Sequence, residues 1–168
     1  MSYTILVFTQ HPLTQTRLAQ DLLTALRAVH YESLCQQYGL DTALIAPTLK
    51  RLSIEQSRGA PLPYFLFHYR EKSRPALIVS EWKDMAAWQV RFLADKGTAR
   101  PPVSARAFIS KAQAVYGVAL EESQLTDLGL LLAYEIARWL TERGPGIMLG
   151  VDGVWYRLNR HQAFLPMC

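Results

Sequence analysis

The sequence predicts an α+β fold, an antiparallel or mixed sheet packed with several amphipathic helices. Three observations predict it. Between Ser123 and Arg143 apolar residues recur at three- and four-residue steps, the period of a helix with a buried face. Two alternating runs then flank Asp152-Gly153, the pattern of a tight hairpin. Runs rich in β-branched and aromatic residues stand elsewhere, without the regular strand–helix alternation of successive parallel crossovers. Strands are accordingly placed near 3–9, 64–69, 76–81, 146–151 and 154–158.

Tyr3 to Thr9 reads as a buried strand, broken by His11-Pro12. A long helix is expected from Leu13 to Tyr38, with Leu18, Leu22, Ala25, Leu26, Val29 and Leu34 on its apolar side and Gly39 as terminator. Asp41 caps a short turn through Ile45, and Pro47 opens a helix from Thr48 to Ser57. Two strands, Tyr64–Tyr69 and Ala76–Glu81, are joined by the charged turn Arg70-Glu71-Lys72-Ser73-Arg74-Pro75. Trp82 to Asp95 and Ser104 to Tyr116 are read as helices, separated by a loop near 97–102 that marks the one candidate subdomain boundary. In the last helix Leu125, Leu128, Leu132, Ile136, Trp139 and Leu140 form the stripe, Ser123 is placed at its start, and Gly144-Pro145 ends it. A two-residue turn at Asp152-Gly153 sets Val151 against Val154, Leu149 against Tyr156 and Ile147 against Leu158, all facing that helix, with Trp155 on the opposite side over Gly150.

A chain of 168 residues reads as a single domain. At this size about 70% of the unfolded surface can be buried, so neither a disulfide nor a metal is needed to hold a core. Half the residues are hydrophobic and 19% are charged, which excludes a disordered chain. Cys35 and Cys168 have no ligand or redox spacing. The N-terminus has neither the basic lead nor the cleavage site of a signal peptide, and apolar runs fall short of the roughly 20 residues of a membrane span. The expectation is a cytoplasmic protein with no membrane attachment, no metal and no cofactor.

Catalytic signatures are sparse. There is no Gly-x-Ser-x-Gly elbow and no Gly-rich phosphate loop, and His11, His30, His68 and His161 are scattered without ligand spacing. Glu81 and Asp84 bracket Trp82 and could form a carboxylate pair, although a first-turn position explains Asp84 by itself. No catalytic residue is assigned, and an enzyme without a local motif stays open as an alternative. Tyr38-Gly39-Leu40 and Tyr116-Gly117-Val118 each follow an expected helix, a faint internal echo compatible with duplication.

Cys35, Gly39, Ile45 and Leu49 resemble the spacing of a helix-turn-helix, and the Tyr64–Glu81 hairpin with its basic tip resembles the wing of a winged-helix protein. Pro47 argues against that nucleic-acid-binding alternative, because it interrupts the segment that should read the groove, and Asp41, Thr42 and Ala43 supply no cations there. The opening strand Met1–Phe8 and the closing helix with its Asp152-Gly153-Val154-Trp155-Tyr156 hairpin are similar in style to small bacterial toxin-immunity proteins. That resemblance implies a non-enzymatic inhibitor binding a cognate protein stoichiometrically. The net charge of +4 is compatible with an anionic partner and equally with an ordinary soluble domain; joined to the resemblance it implies a partner with an acidic surface. The expected contact residues are the cations and aromatics of the two hairpins: Arg70, Lys72, Arg74, Trp155, Arg157, Arg160 and His161.

Overall fold

The computed structural model describes residues 2–13, 18–57, 64–94, 100–125 and 128–168. Eight strands form one sheet: β1 (Ser2–Thr9), β2 (Ser53–Ser57), β3 (Tyr64–His68), β4 (Leu77–Trp82), β5 (Ala114–Glu121), β6 (Gly146–Leu149), β7 (Trp155–Leu158) and β8 (Phe164–Pro166). Their order across the sheet is β2-β3-β4-β5-β1-β6-β7-β8, with every neighbouring pair antiparallel. The helices are α1 (Leu18–Arg27), α2 (Tyr31–Tyr38), α3 (Ile45–Arg51), α4 (Met85–Gln89) running into a π-helical turn (Val90–Ala94), α5 (Val103–Ile109) and α6 (Leu128–Arg143). The fold is α+β, as the periodicity predicts.

Because β5 and β6 are both antiparallel to β1, they run the same way on either side of it, and α6 is the crossover between them. By the same counting β2 runs parallel to β1 with α1–α3 between them. Each crossover is followed by a three-strand meander, β2-β3-β4 and then β6-β7-β8. The chain thus contains two parallel crossovers that the sequence reading does not anticipate. Both are hidden because each skips at least one strand, so no parallel ladder forms. The order of elements repeats, but not through the expected echo. Gly39 sits in the left-handed region at φ +66° and closes α2, whereas Gly117 lies within β5 beneath the ring of Trp82.

Both faces of the sheet are packed. On one face Ile5, Val7, Phe65, Phe67, Leu77, Val79, Tyr116, Val118 and Met148 meet α1 and α6. The expected α6 stripe is buried at Leu128, Leu132, Ile136, Trp139 and Leu140, and Leu131, Ala133, Ala137 and Thr141 are buried as well. The helix is enclosed on a second side because α2 and α3 cover its first turns through Cys35, Leu34 and Ile45. On the other face Leu6, Phe8, Val115, Ile147, Leu149 and Trp155 pack against Met85 and Phe92, and against Ala105 and Ile109 of α5.

Several boundaries differ from expectation. The long helix breaks at residues 28–30, and Tyr31 Oη donates to Leu26 O at 2.7 Å across the break. That bend turns Tyr31 inward with Leu22 and Leu26, and Cys35 against Leu128 and Leu131. The expected helix Thr48–Ser57 is instead the short α3 followed by edge strand β2. Pro47 is accommodated as the third residue of α3, where its missing N–H would have no helical partner anyway. The expected helix Ser104–Tyr116 stops at Ile109, and Ala114–Glu121 is a central strand. Ser123 belongs to a 3₁₀ turn (Glu122–Gln124) ahead of α6 and does not cap it. The loop expected near 97–102 begins outside the described residues.

The hairpin register is shifted by one residue. Leu149 pairs with Trp155, Met148 with Tyr156 and Ile147 with Arg157, because five residues, Gly150 to Val154, make the connection. A one-residue shift exchanges the two faces of β6 relative to β7. Met148 therefore faces α6 together with Tyr156, while Ile147 and Leu149 move to the opposite side of the sheet, the side on which Trp155 is expected and found.

Candidate interaction surface

The end of the sheet where β3 turns into β4 carries the cationic turn. β3 and β4 are interior strands bonded on both sides, so this hairpin does not project as a free wing. Its tip is fastened to the neighbouring 3₁₀ turn. The Arg70 guanidinium lies over the Tyr69 ring at 5.0 Å and donates to Ser123 O at 3.0 Å. Gln124, fully buried, donates from Nε2 to Pro75 O at 3.1 Å while its Oε1 accepts from Glu121 N at 2.8 Å. Lys72 and Arg74 stand exposed on the tip so held.

The other expected contact residues lie elsewhere. Trp155 is 4% exposed, packed at 5.6 Å from Phe8 and 5.5 Å from Phe92, and is out of a partner's reach. The alternation puts it inside because α4 and its π-helical extension cover that face. Arg157 is exposed on β7. Arg160 and His161 occupy the β7–β8 turn, where Arg160 Nε donates to His161 Nε2 at 3.1 Å. That turn is at the opposite end of the sheet from Arg70, Lys72 and Arg74, and β7 is four strand spacings from β4. At about 4.8 Å per strand this is about 19 Å sideways. The two cationic groups do not form one patch.

A feature without a local sequence signal adjoins the basic turn. α4 and α5 cover the second face over β5, β1, β6 and β7, but Leu66 and Ile78 are outside that cluster. Ile78, between Leu66 and Ala119 on a strand paired on both sides, is 39% exposed. His68 lies on this face with both ring nitrogens buried and without hydrogen-bond partners, its Nε2 3.5 Å from the Glu55 carboxylate. Alternation predicts which residues share the face; only packing decides that, among the described residues, Ile78 stays outside the cluster beneath α4 and α5.

Glu81 and Asp84 do not form a carboxylate pair. Asp84 accepts from Ala86 N at 3.0 Å and caps α4. Glu81 points to the α6 face, where the buried Tyr116 hydroxyl donates to Oε1 at 3.2 Å and accepts from Leu13 N at 2.7 Å. This pair ties the segment after β1 to the sheet and is closed to solvent. Among the described residues no three His, Cys, Asp or Glu side chains gather into a metal site. No helix there is long and apolar enough to cross a membrane.

No family model, curated protein or solved structure matches this chain.

The tyrosines dominate the perturbed groups. Burial first, then the Asp152 charge, pushes Tyr134 up to about 12. Burial likewise raises Tyr31, Tyr69 and Tyr116, and Tyr156 is raised by burial and by its hydrogen bond to Asp152. In the unfolded chain these phenols ionise near pH 10. Above that pH the folded state binds more protons than the unfolded one, so stability is full below about pH 10 and falls as pH rises further. Urea midpoints should therefore hold from pH 8 to about 9.5 and drop by pH 11. A flat midpoint across that range contradicts the burial of these phenols.

Proposed function

We propose that this chain is a non-catalytic protein-binding module that docks an acidic surface of a cognate protein through its β3–β4 turn. Lys72 and Arg74 are the contacts and Arg70 is the strut. The observation that carries the reading is the pinning of the turn by Arg70 to Ser123 O and by buried Gln124 to Pro75 O. A loop already held in one shape loses less freedom on binding, so its cations act as a preorganised pair. The half-exposed Ile78 nearby supplies apolar area of the kind that interface centres use. The finer reading is stoichiometric neutralisation of a toxin, supported by the stylistic likeness of the opening strand and closing helix–hairpin to immunity proteins.

Co-expression with proteins encoded beside it is the first test, with rescue of growth and a 1:1 complex in solution as the expected result. In that complex Lys72→Glu with Arg74→Glu should weaken binding by about tenfold or more, with folding stability changed by less than about 0.5 kcal/mol. Wild-type affinity in the double variant removes the turn from the interface. Salt-steep retention of duplex DNA, lost in the same variant, would instead favour phosphate as the ligand of these cations.

A further inference from the structure

We infer that the outer edge of β2 binds an extended segment of a partner protein as an additional strand, with a lysine or arginine of that segment opposite Glu55. The inference does not rest on the role given to Lys72 and Arg74, and either can fail without the other.

The two edges of the sheet differ. β8 is three residues long and ends on Pro166, which has no N–H to offer a neighbour. Short length and proline are devices that blunt a sheet edge. β2 has neither. It is five residues long, contains no proline or lysine, and pairs with β3 without a bulge from Ser53 with His68 to Ser57 with Tyr64. Antiparallel pairing uses the N–H and C=O groups of alternate residues, so the other half of the β2 backbone groups point outward. Among the described residues no strand takes them up. β2 is also held in place before any partner arrives. The Arg27 guanidinium donates to Leu52 O at 3.1 Å, and Ile54 packs against the main core. Only the incoming segment has to be ordered, which lowers the cost of adding it.

The side chains say which segment fits. Glu55 is the one charged residue of β2, and its side chain is 62% exposed. Its Oε2 lies 3.5 Å from His68 Nε2 with no hydrogen bond between them, so the carboxylate can accept from a donor on the outer side. A second copy of this chain is the wrong occupant. Antiparallel self-pairing along the whole strand sets Glu55 against Glu55, and like charges directly opposite are destabilising. Registers that avoid this clash pair fewer residues of the strand. A cation opposite Glu55 makes the same position favourable. Its flanking residues fall opposite Ile54 and Gln56, on the face where Ile54 meets the core, so apolar flanks suit it.

The test is an NMR titration of the full chain with two capped peptides, acetyl-Thr-Val-Lys-Val-Thr-amide and the same peptide with Glu in place of Lys. The lysine peptide should give saturable shifts at the Ser53–Ser57 amides and slow hydrogen exchange at alternate ones. The glutamate peptide should bind about threefold more weakly or worse. Glu55→Lys should reverse that preference, and the comparison of peptides on the wild-type chain stands even if this variant disturbs β2. Linear, unsaturable shifts overturn the inference, as do equal affinities for the two peptides or equal shifts at Phe164 and Leu165 of β8. A concentration-dependent dimer with protected Ser53–Ser57 amides overturns it too, because the edge then belongs to a second copy.

Discussion

Phe8→Ala is expected to lower stability by about 3–5 kcal/mol, a large share of the 5–15 kcal/mol that holds a domain of this size. Phe8 is fully buried on β1, the strand between β5 and β6. Its ring meets Trp88 at 6.5 Å, Phe92 at 5.5 Å and Trp155 at 5.6 Å between centroids, edge-on to the first two. Those three rings come from α4, its π-helical extension and β7, so no single movement lets them close the void. The residual cavity therefore adds to the lost transfer energy. Urea unfolding measures the effect, and near-ultraviolet circular dichroism should lose the signature of the coupled rings. A cost below about 1 kcal/mol would mean that the second core does not depend on this side chain.

The second large effect concerns a glycine with no unusual dihedral. Gly146→Ala should destabilise by about 2–3 kcal/mol, because its Cβ would lie 2.5 Å from Phe8 O and 3.4 Å from Thr9 Cγ2. The obstruction is backbone, in a strand paired with β6 itself, and it cannot rotate away. The useful comparison is Gly153→Ala, where nothing lies within 4 Å and only the positive φ of +76° is strained. That variant should cost about 1–2 kcal/mol. If Gly146→Ala is as stable as wild type, the β1–β6 approach is looser than described.

The turn 70–75 was legible in the sequence because its cations are neighbours, and local charge needs no fold to cluster. Trp155 stands among the expected contact residues for an equally local reason, although packing of its face on another helix is the commoner outcome for such a residue. Asp152-Gly153 favours a two-residue turn, and that register puts Trp155 opposite the face taken for the core. The turn is longer by three residues, Asp152 being held by Val154 N and Tyr156 Oη, which moves Ile147 and Leu149 and leaves Trp155 on its expected face; Trp155 is core because that face too is covered. Ala112 to Leu120 shows the same conflict between local and distant terms. Its alanines and its distance from Ser104 suit the continuation of a helix, yet β1 and β4 pair with it on both sides and override that tendency. In Ser53–Ser57 there is little β-branched content, and only pairing with β3 makes it a strand. The approach of Tyr134 to the Asp152 turn and the exposed Ile78 had no local signal, since the groups that decide them are far away in the chain.

By itself the sequence determined the fold class, the amphipathic α6 with its Gly-Pro stop, the outer strands of the hairpin patterns and the grouping of Arg70, Lys72 and Arg74. Such features depend on periodicities and turn chemistry within about a dozen residues. Tertiary structure alone decided which strands are neighbours, that β5 is a strand, that Trp155 is core, and that Tyr134 and Tyr156 close on Asp152 around Gly150. Those outcomes are set by burial and pairing between segments, energies that no single stretch of chain contains.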